Sequence, residues 1–369
     1  IEVISGPGGA LYGANAVNGV INVVSRSAFD SQGLAFQAAF GEADGHATLR
    51  HGGLIGQNGA WRVYASGLAR RSSFLPSGAE AGDELEGGQL GFRTDWRLGA
   101  DSLTLQGDWY SRGIEGGPVG GDFTGGNVLA RWTHAFSAGN SLELQAYYDR
   151  NIRDDLTGLN SDTQTWDIAL QQAVTPFANH NLVWGAGYRF IDDEVISPPG
   201  SVAFLDPEQR DLYAANLFVQ DQWRLTDALT VTLGLKLETG TFRDLEPLPS
   251  LRLGWRVNDG AFLWAAASRA VRIPSRIDRN LTFPGFLEGG GFQREELWAY
   301  ELGYHGQPTD NTTLSVSLFY NDYDDLRTAD LGPGFTFPIR LANTARGTTW
   351  GAEIWGTWDV IPQWRLSAG

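Results

Sequence analysis

The chain has 369 residues, with 27 Lys and Arg against 43 Asp and Glu, a formal charge of −16 and a pI near 4.7. So acidic a balance excludes a nucleic-acid binder, which must replace counterions with basic side chains, and the absence of cysteine excludes a disulfide framework, a Cys-ligated metal and a thiol nucleophile. Aromatic residues at 12% exclude intrinsic disorder, and the longest apolar stretch, 261–267, is far short of the ~20 residues a membrane helix needs.

The chain contains no methionine and opens mid-strand at Ile1-Glu2-Val3-Ile4, so it reads as a piece of a longer gene product. Residues 1–26 predict a strand, a Gly-Pro turn, a short turn or helix, and a second strand. That second strand, ending Val20-Ile21-Asn22-Val23-Val24, is almost continuously apolar, which predicts burial on both faces within a packed unit. Its glycines lack the spacing of a phosphate loop or a dinucleotide fingerprint, and no cofactor motif is readable.

From residue 33 onward the pattern changes to period two. In 229–238, Leu229, Val231, Leu233, Leu235 and Leu237 point one way, and Thr230, Thr232, Gly234, Lys236 and Glu238 the other. About 17 such runs follow one another, near 33–41, 45–53, 60–70, 87–96, 101–111, 125–135, 140–150, 163–173, 180–190, 212–224, 228–239, 248–257, 261–269, 296–306, 310–321, 346–358 and from 363. From the second run on, the connections alternate. Tight ones such as Gln57-Asn58-Gly59 and Asn258-Asp259-Gly260 carry turn chemistry. Long ones span roughly 71–86, 112–124, 151–162, 191–211, 240–247, 270–295 and 322–345.

A soluble sandwich has no reason to keep every second loop tight, whereas a transmembrane barrel has short turns on one side and long loops on the other. Aromatic residues support that choice. Trp61, Trp96, Trp132, Trp223, Trp255, Trp264, Trp358 and Trp364 flank the tight turns, and Trp109, Tyr110, Tyr148, Trp166, Tyr188, Tyr213, Trp298, Tyr300 and Tyr320 lie toward the long loops. Two belts are expected where rings sit at two membrane interfaces. The expected fold is all-β, a transmembrane antiparallel barrel of strands about 9–11 residues long.

The stretch "IEVISGPGGALYGANAVNGVINVVSR" resembles the end of the plug domain of TonB-dependent outer-membrane receptors. Gly6, Pro7, Gly8, Leu11, Tyr12, Gly13, Gly19 and Asn22 carry that motif. Further similarity follows in order at 218–238, 267–280, 296–328 and 342–358, so it covers essentially the whole chain. The resemblance implies that 1–30 are the C-terminal part of an α/β plug, and that 31–369 are a barrel incomplete at its C-terminus, about 17 of the family's 22 strands. It implies a bacterial outer-membrane location, a TonB–ExbB–ExbD partner acting through a TonB box ahead of this chain, and contact with lipopolysaccharide and outer-membrane lipid. It also implies uptake of a scarce ligand without catalysis, a ferric siderophore foremost and cobalamin next. A passive porin-like barrel is the other reading, and residues 1–26 argue against it. Gly289-Gly290-Gly291-Phe292-Gln293-Arg294 departs from the family's usual stretch before the strand at 296.

Candidate chemistry is sparse. His46, His51, His134, His180 and His305 have no ligand spacing, and the acidic clusters at 192–194 and 322–325 match no EF-hand loop. The chain has one lysine, Lys236, and 26 arginines. Arg269, Arg272, Arg276 and Arg279 gather in or at the 270–295 connection, where planar guanidinium forks could hold an anionic ligand or pair with acidic partners on the lumen wall.

Overall fold

The computed structural model describes residues 1–116, 120–155, 160–197, 201–332 and 336–369. Parts of four predicted long connections, 117–119, 156–159, 198–200 and 333–335, lie outside them.

At the amino terminus β1 (Glu2–Ser5) and β2 (Gly19–Asn22) pair antiparallel, with one helical turn, α1 (Gly9–Tyr12), between them. A 3-10 turn at Ala28–Asp30, capped by Ser27, leads into the wall. Period-two alternation then builds β3 (Gly33–Phe40), β4 (Asp44–Ile55), β5 (Gly59–Arg70), β6 (Leu85–Leu98), β7 (Asp101–Ile114), β8 (Gly121–Ser137), β9 (Asn140–Asp155), β10 (Asn160–Val174) and β11 (His180–Ile196). After a two-residue loop strand, β12 (Phe204–Leu205), come β13 (Gln209–Arg224), β14 (Leu229–Gly240), β15 (Arg243–Asn258) and β16 (Ala261–Arg272). A helical turn, α2 (Arg276–Asn280), and two loop strands, β17 (Leu281–Phe283) and β18 (Leu287–Glu288), precede β19 (Glu295–Thr309), β20 (Thr312–Gly332), β21 (Thr336–Ile361) and β22 (Trp364–Ala368). Among the described residues seventeen strands form the barrel sheet, in agreement with the periodicity, and successive strands pair antiparallel. The three loop strands stitch the long-loop side together: β12 pairs with β17, β17 with β18, and β18 runs parallel to β21.

Burial is inverted relative to a water-soluble protein. Leu217, Leu233, Leu302 and Ile354 are exposed, whereas Asp95, Lys236, Glu238 and Glu246 are buried on the opposite, inward face. Such a sheet presents its apolar side to hydrocarbon and its polar side to the lumen. The fully buried apolar cluster is small. Leu248, Ala270, Val271, Phe292, Leu297 and Ala299 sit where β15, β16 and β19 meet the loop that follows β16.

Four expectations change. The 240–247 connection is a two-residue turn, because β15 already starts at Arg243. Pro247 and Pro249 can stand in that strand because its ladder to β16 ends at Ser250, and the Arg269 guanidinium takes the Pro247 carbonyl instead, at 2.6 Å. Strands reach well beyond 9–11 residues, with 21 in β20 and 26 in β21, since that hairpin continues past a membrane's thickness. In the aromatic belts Trp264 and Tyr110 turn inward: Trp264 lies over Gly303, and Tyr110 accepts a hydrogen bond from Asn151. Lastly, Val3, Ile21, Val23 and Val24 are about 70% exposed, so β1 and β2 bury only one face among the residues present.

Candidate functional site

The plug-like motif places the amino-terminal segment against the inward face of β14, β15, β16 and β19. Asn22 pairs with Glu2 across the small sheet and donates to its carboxylate at 2.9 Å. Gly19 faces Ser5 in the same ladder. Gly6 and Gly8 close the turn onto Asn18 and Ala16 at 3.1 and 2.9 Å, with Pro7 buried between them. Gly8 leaves room for the Tyr12 ring, and Gly6 brings the backbone up to the Glu301 carboxylate. Gly13, at φ +88°, reverses the chain after α1. A β-carbon there would stand 2.2 Å from the Glu238 carboxylate.

Beneath that turn lies a buried charged group. Lys236, the chain's single lysine, donates to the Leu11 carbonyl at 3.3 Å and lies 3.7 Å from Glu238. Glu238 also meets Arg243 at 3.4 Å and accepts from the Ala14 amide at 2.9 Å. Asn15, at φ +71°, reaches the base of the next loop. Its amide donates to the Val271 carbonyl and its side-chain oxygen accepts from the Ile273 amide, both at 2.8 Å. A second anchor holds the chain as it leaves the segment. Asp95 accepts from the Ala28 amide at 2.6 Å and the Ser27 hydroxyl at 3.0 Å, and pairs with Arg93 at 2.8 Å.

The four arginines are close in space, and each is engaged with the protein itself. Arg269 is buried against Glu246 and Glu296 at 3.0 and 2.6 Å, and the same two carboxylates hold Arg294. Arg272 pairs with Glu295 and with Asp278 at 3.1 Å. Arg276 pairs with Asp193 at 2.7 Å and donates to the Asp193, Pro207 and Glu208 carbonyls, which pins α2 to the loop around β12. Arg279 donates to the Phe292 carbonyl at 2.6 Å. Phe292, in the stretch that departs from the family pattern, is fully buried beneath the Arg272 guanidinium.

The side chains organising this loop are Asn343, the asparagine of the family-like 342–358 stretch, and three that sequence reasoning missed, Glu246, Asp278 and Arg294. Of those three only Asp278 had a local signal. Ser275-x-x-Asp278 is a capping box, and both of its reciprocal bonds form. Asn343 donates to the Gln293, Arg294 and Asp325 carbonyls and accepts from the Gln293 amide at 2.6 Å. Beside it opens a cavity of about 830 Å3, lined by Gln293, Arg294, Asp325, Phe337, Arg340 and Asn343 among others. Phe337 continues a stack through Phe286 to Phe283, with ring centres 5.0 and 5.1 Å apart. Among the described residues no group of three or more acidic or histidine side chains could hold a metal.

This architecture has known counterparts. The family model described as "TonB dependent receptor-like, beta-barrel" matches residues 22–369. The chain belongs to that family. Solved structures agree on the fold. The siderophore receptor PirA from Pseudomonas aeruginosa superposes with a TM-score of 0.77 at 17% identity, covering 99% of this chain and 70% of that one. A mutant of the ferric enterobactin receptor PfeA from the same organism gives 0.80 at 15%, covering 99% and 65%. The copper transporter OprC gives 0.77 at 15%, covering 99% and 64%. A 33-residue stretch is 61% identical to the vitamin B12 transporter BtuB of Vibrio vulnificus (strain CMCP6), 9% of this chain and 5% of that protein. The chain thus spans about two thirds of the solved relatives and a small part of the curated one. The family members matched are receptors and transporters.

Proposed function

We propose that this chain is the barrel and the last plug strands of a TonB-dependent receptor in a bacterial outer membrane, and that the whole protein imports a ferric siderophore. Residues 1–30 are assigned to the plug and 31–369 to the transmembrane barrel. The observation that carries the reading is the seating of the plug-like segment on the polar inner face of a family barrel. A passive pore has no use for a folded segment hydrogen-bonded inside its lumen. Ligand would be captured by the long loops and the segment's apex. TonB, driven by ExbB and ExbD, would then pull on the plug, and no covalent bond is made or broken. The outward apolar face would meet outer-membrane lipid and, on its outer leaflet, lipopolysaccharide.

Within this reading Arg269 and Arg276 serve the ligand indirectly, by holding the loop. Arg272 and Arg279 are the two that are only half-buried, so contact with an anionic ligand would fall to them. The iron reading is supported by the siderophore receptors among the structural counterparts, and the alternative, cobalamin, by the short match to BtuB. Growth under iron limitation tests both. Deleting the complete gene should abolish growth on one ferric siderophore, and restoring it should rescue growth only in cells with TonB. Rescue seen with cobalamin and with no siderophore would overturn the iron assignment. Uptake that persists without TonB would overturn the class and favour a passive barrel.

A further inference from the structure

We propose that Asn15 is the positioning residue through which the amino-terminal segment holds the base of the 273–294 loop, so that displacing the segment loosens that loop. As a device in transport this rests on the receptor reading above; as a mechanical coupling it stands on geometry.

The segment's hydrogen bonds to β14, from Leu11 and Ala14, reach the Lys236 and Glu238 side chains, and Gly6 and Gly9 only pack against Glu301 and the Arg269–Ala270 backbone. Asn15 differs. Its two 2.8 Å bonds grip the backbone on either side of Arg272, through the carbonyl of Val271 and the amide of Ile273. Arg272 is the residue whose side chain passes the connection onward. It pairs with Asp278, which caps α2, and Asp278 also receives Arg327 from β20 at 2.8 Å. α2 in turn is tied by Arg276 to Asp193 at the end of β11. A continuous run of hydrogen bonds and ion pairs therefore joins the segment's apex to the stitched loops. Ile273 is followed by Pro274, which has no amide to give, so the Ile273 amide is the last donor before the capping box at Ser275.

Asn is suited to this place for two reasons that can be separated. It tolerates the left-handed conformation, and it carries a side-chain acceptor. Gly keeps the first property and loses the second, whereas Asp keeps both. Hydrogen exchange on the complete receptor in detergent reads the difference. Asn15→Gly should speed exchange of the Ile273 amide and of 275–280 by about five- to tenfold, the factor one net hydrogen bond supplies. The Ala28 amide bound to Asp95 should be unchanged, and Asn15→Asp should restore wild-type protection. Arg272→Gln, which leaves Asn15 intact, should free 275–280 while the Ile273 amide stays protected. The proposal is overturned if Asn15→Gly leaves the loop as protected as wild type, or if Asn15→Asp loosens it as much as Gly does. It is also overturned if Arg272→Gln leaves 275–280 unchanged. None of these readings involves uptake. Loss of the receptor assignment in the growth assay would leave the coupling standing, and its failure here would leave the receptor assignment standing.

Discussion

Gly13 shows how much one position can specify. Its φ of +88° lies in the region L side chains avoid, at a cost of about 1–2 kcal/mol. Its missing β-carbon is also the space that the Glu238 carboxylate fills. Glu238 cannot simply swing aside, because Lys236 and Arg243 hold it from the other side. Gly13→Ala should therefore cost the Ala14–Glu238 bond as well, about 2 kcal/mol or more in all. Protease cleavage after Arg26 should then appear at lower urea than in wild type, and an unchanged urea profile would refute this account. The turn itself was legible, since Gly-Pro and Gly-Gly punctuate residues 6–9 and Gly13 follows four residues on. Its partner was not, because 224 residues separate Ala14 from Glu238 and nothing in a single sequence links such positions.

Among the elements, the loop after β16 departs furthest from expectation. Read as an irregular connection, it contains a capped helical turn, two short strands and a buried phenylalanine. Asp278 is its pivot. Burial alone would push this carboxyl up, but the Ser275 amide, Arg327, the Ser275 hydroxyl and Arg272 outweigh burial and hold it below the ordinary carboxylate value. A carboxyl lowered on folding stabilises the folded loop above its unfolded pKa of about 3.9, and that contribution is lost as the pH falls through the lower folded value. Amide protection over 275–280, corrected for intrinsic exchange, should thus be flat from about pH 7 to pH 5 and decline only below about pH 4. A decline centred near pH 6 would assign control of the loop to another group. The arginines here were legible as a cluster, but their partners were not. Glu246 and Asp193 lie on strands distant in sequence, so only the fold could decide whether these guanidinium groups meet a ligand or a carboxylate.

For the whole molecule the governing fact is the inverted burial. Register places Tyr148 opposite Trp166, Trp166 opposite Phe190, and Phe190 opposite Tyr213, and the first three rings touch at centre distances of 5.4 and 5.6 Å. Tyr300, Tyr320 and Trp350 form a second such row across β19, β20 and β21. Trp223, Trp255 and Trp358 stand toward the tight turns with their rings exposed. Reconstituted into vesicles carrying a quencher at known depth, the protein's tryptophans should be quenched most by labels near the two headgroup regions. They should be quenched least by one at the bilayer centre, and uniform quenching at all depths would refute the two belts.

Strand number, hairpin order and the two-faced character of the wall were determined by the sequence alone. Each rests on alternation and turn chemistry acting within a few residues, and the family resemblance rests on motifs of the same short range. What the tertiary structure decided lies between elements. It seats the amino-terminal turn on Lys236 and Glu238, draws Asn15 to the backbone beside Arg272, shortens the expected 240–247 loop to a turn, and commits Arg269, Arg272 and Arg276 to carboxylates and Arg279 to a carbonyl. The physical reason is common to all of these. A buried charge must find an opposite charge or a hydrogen-bond partner wherever the closing wall brings one, and curvature and register set that meeting, which alternation along one strand does not encode.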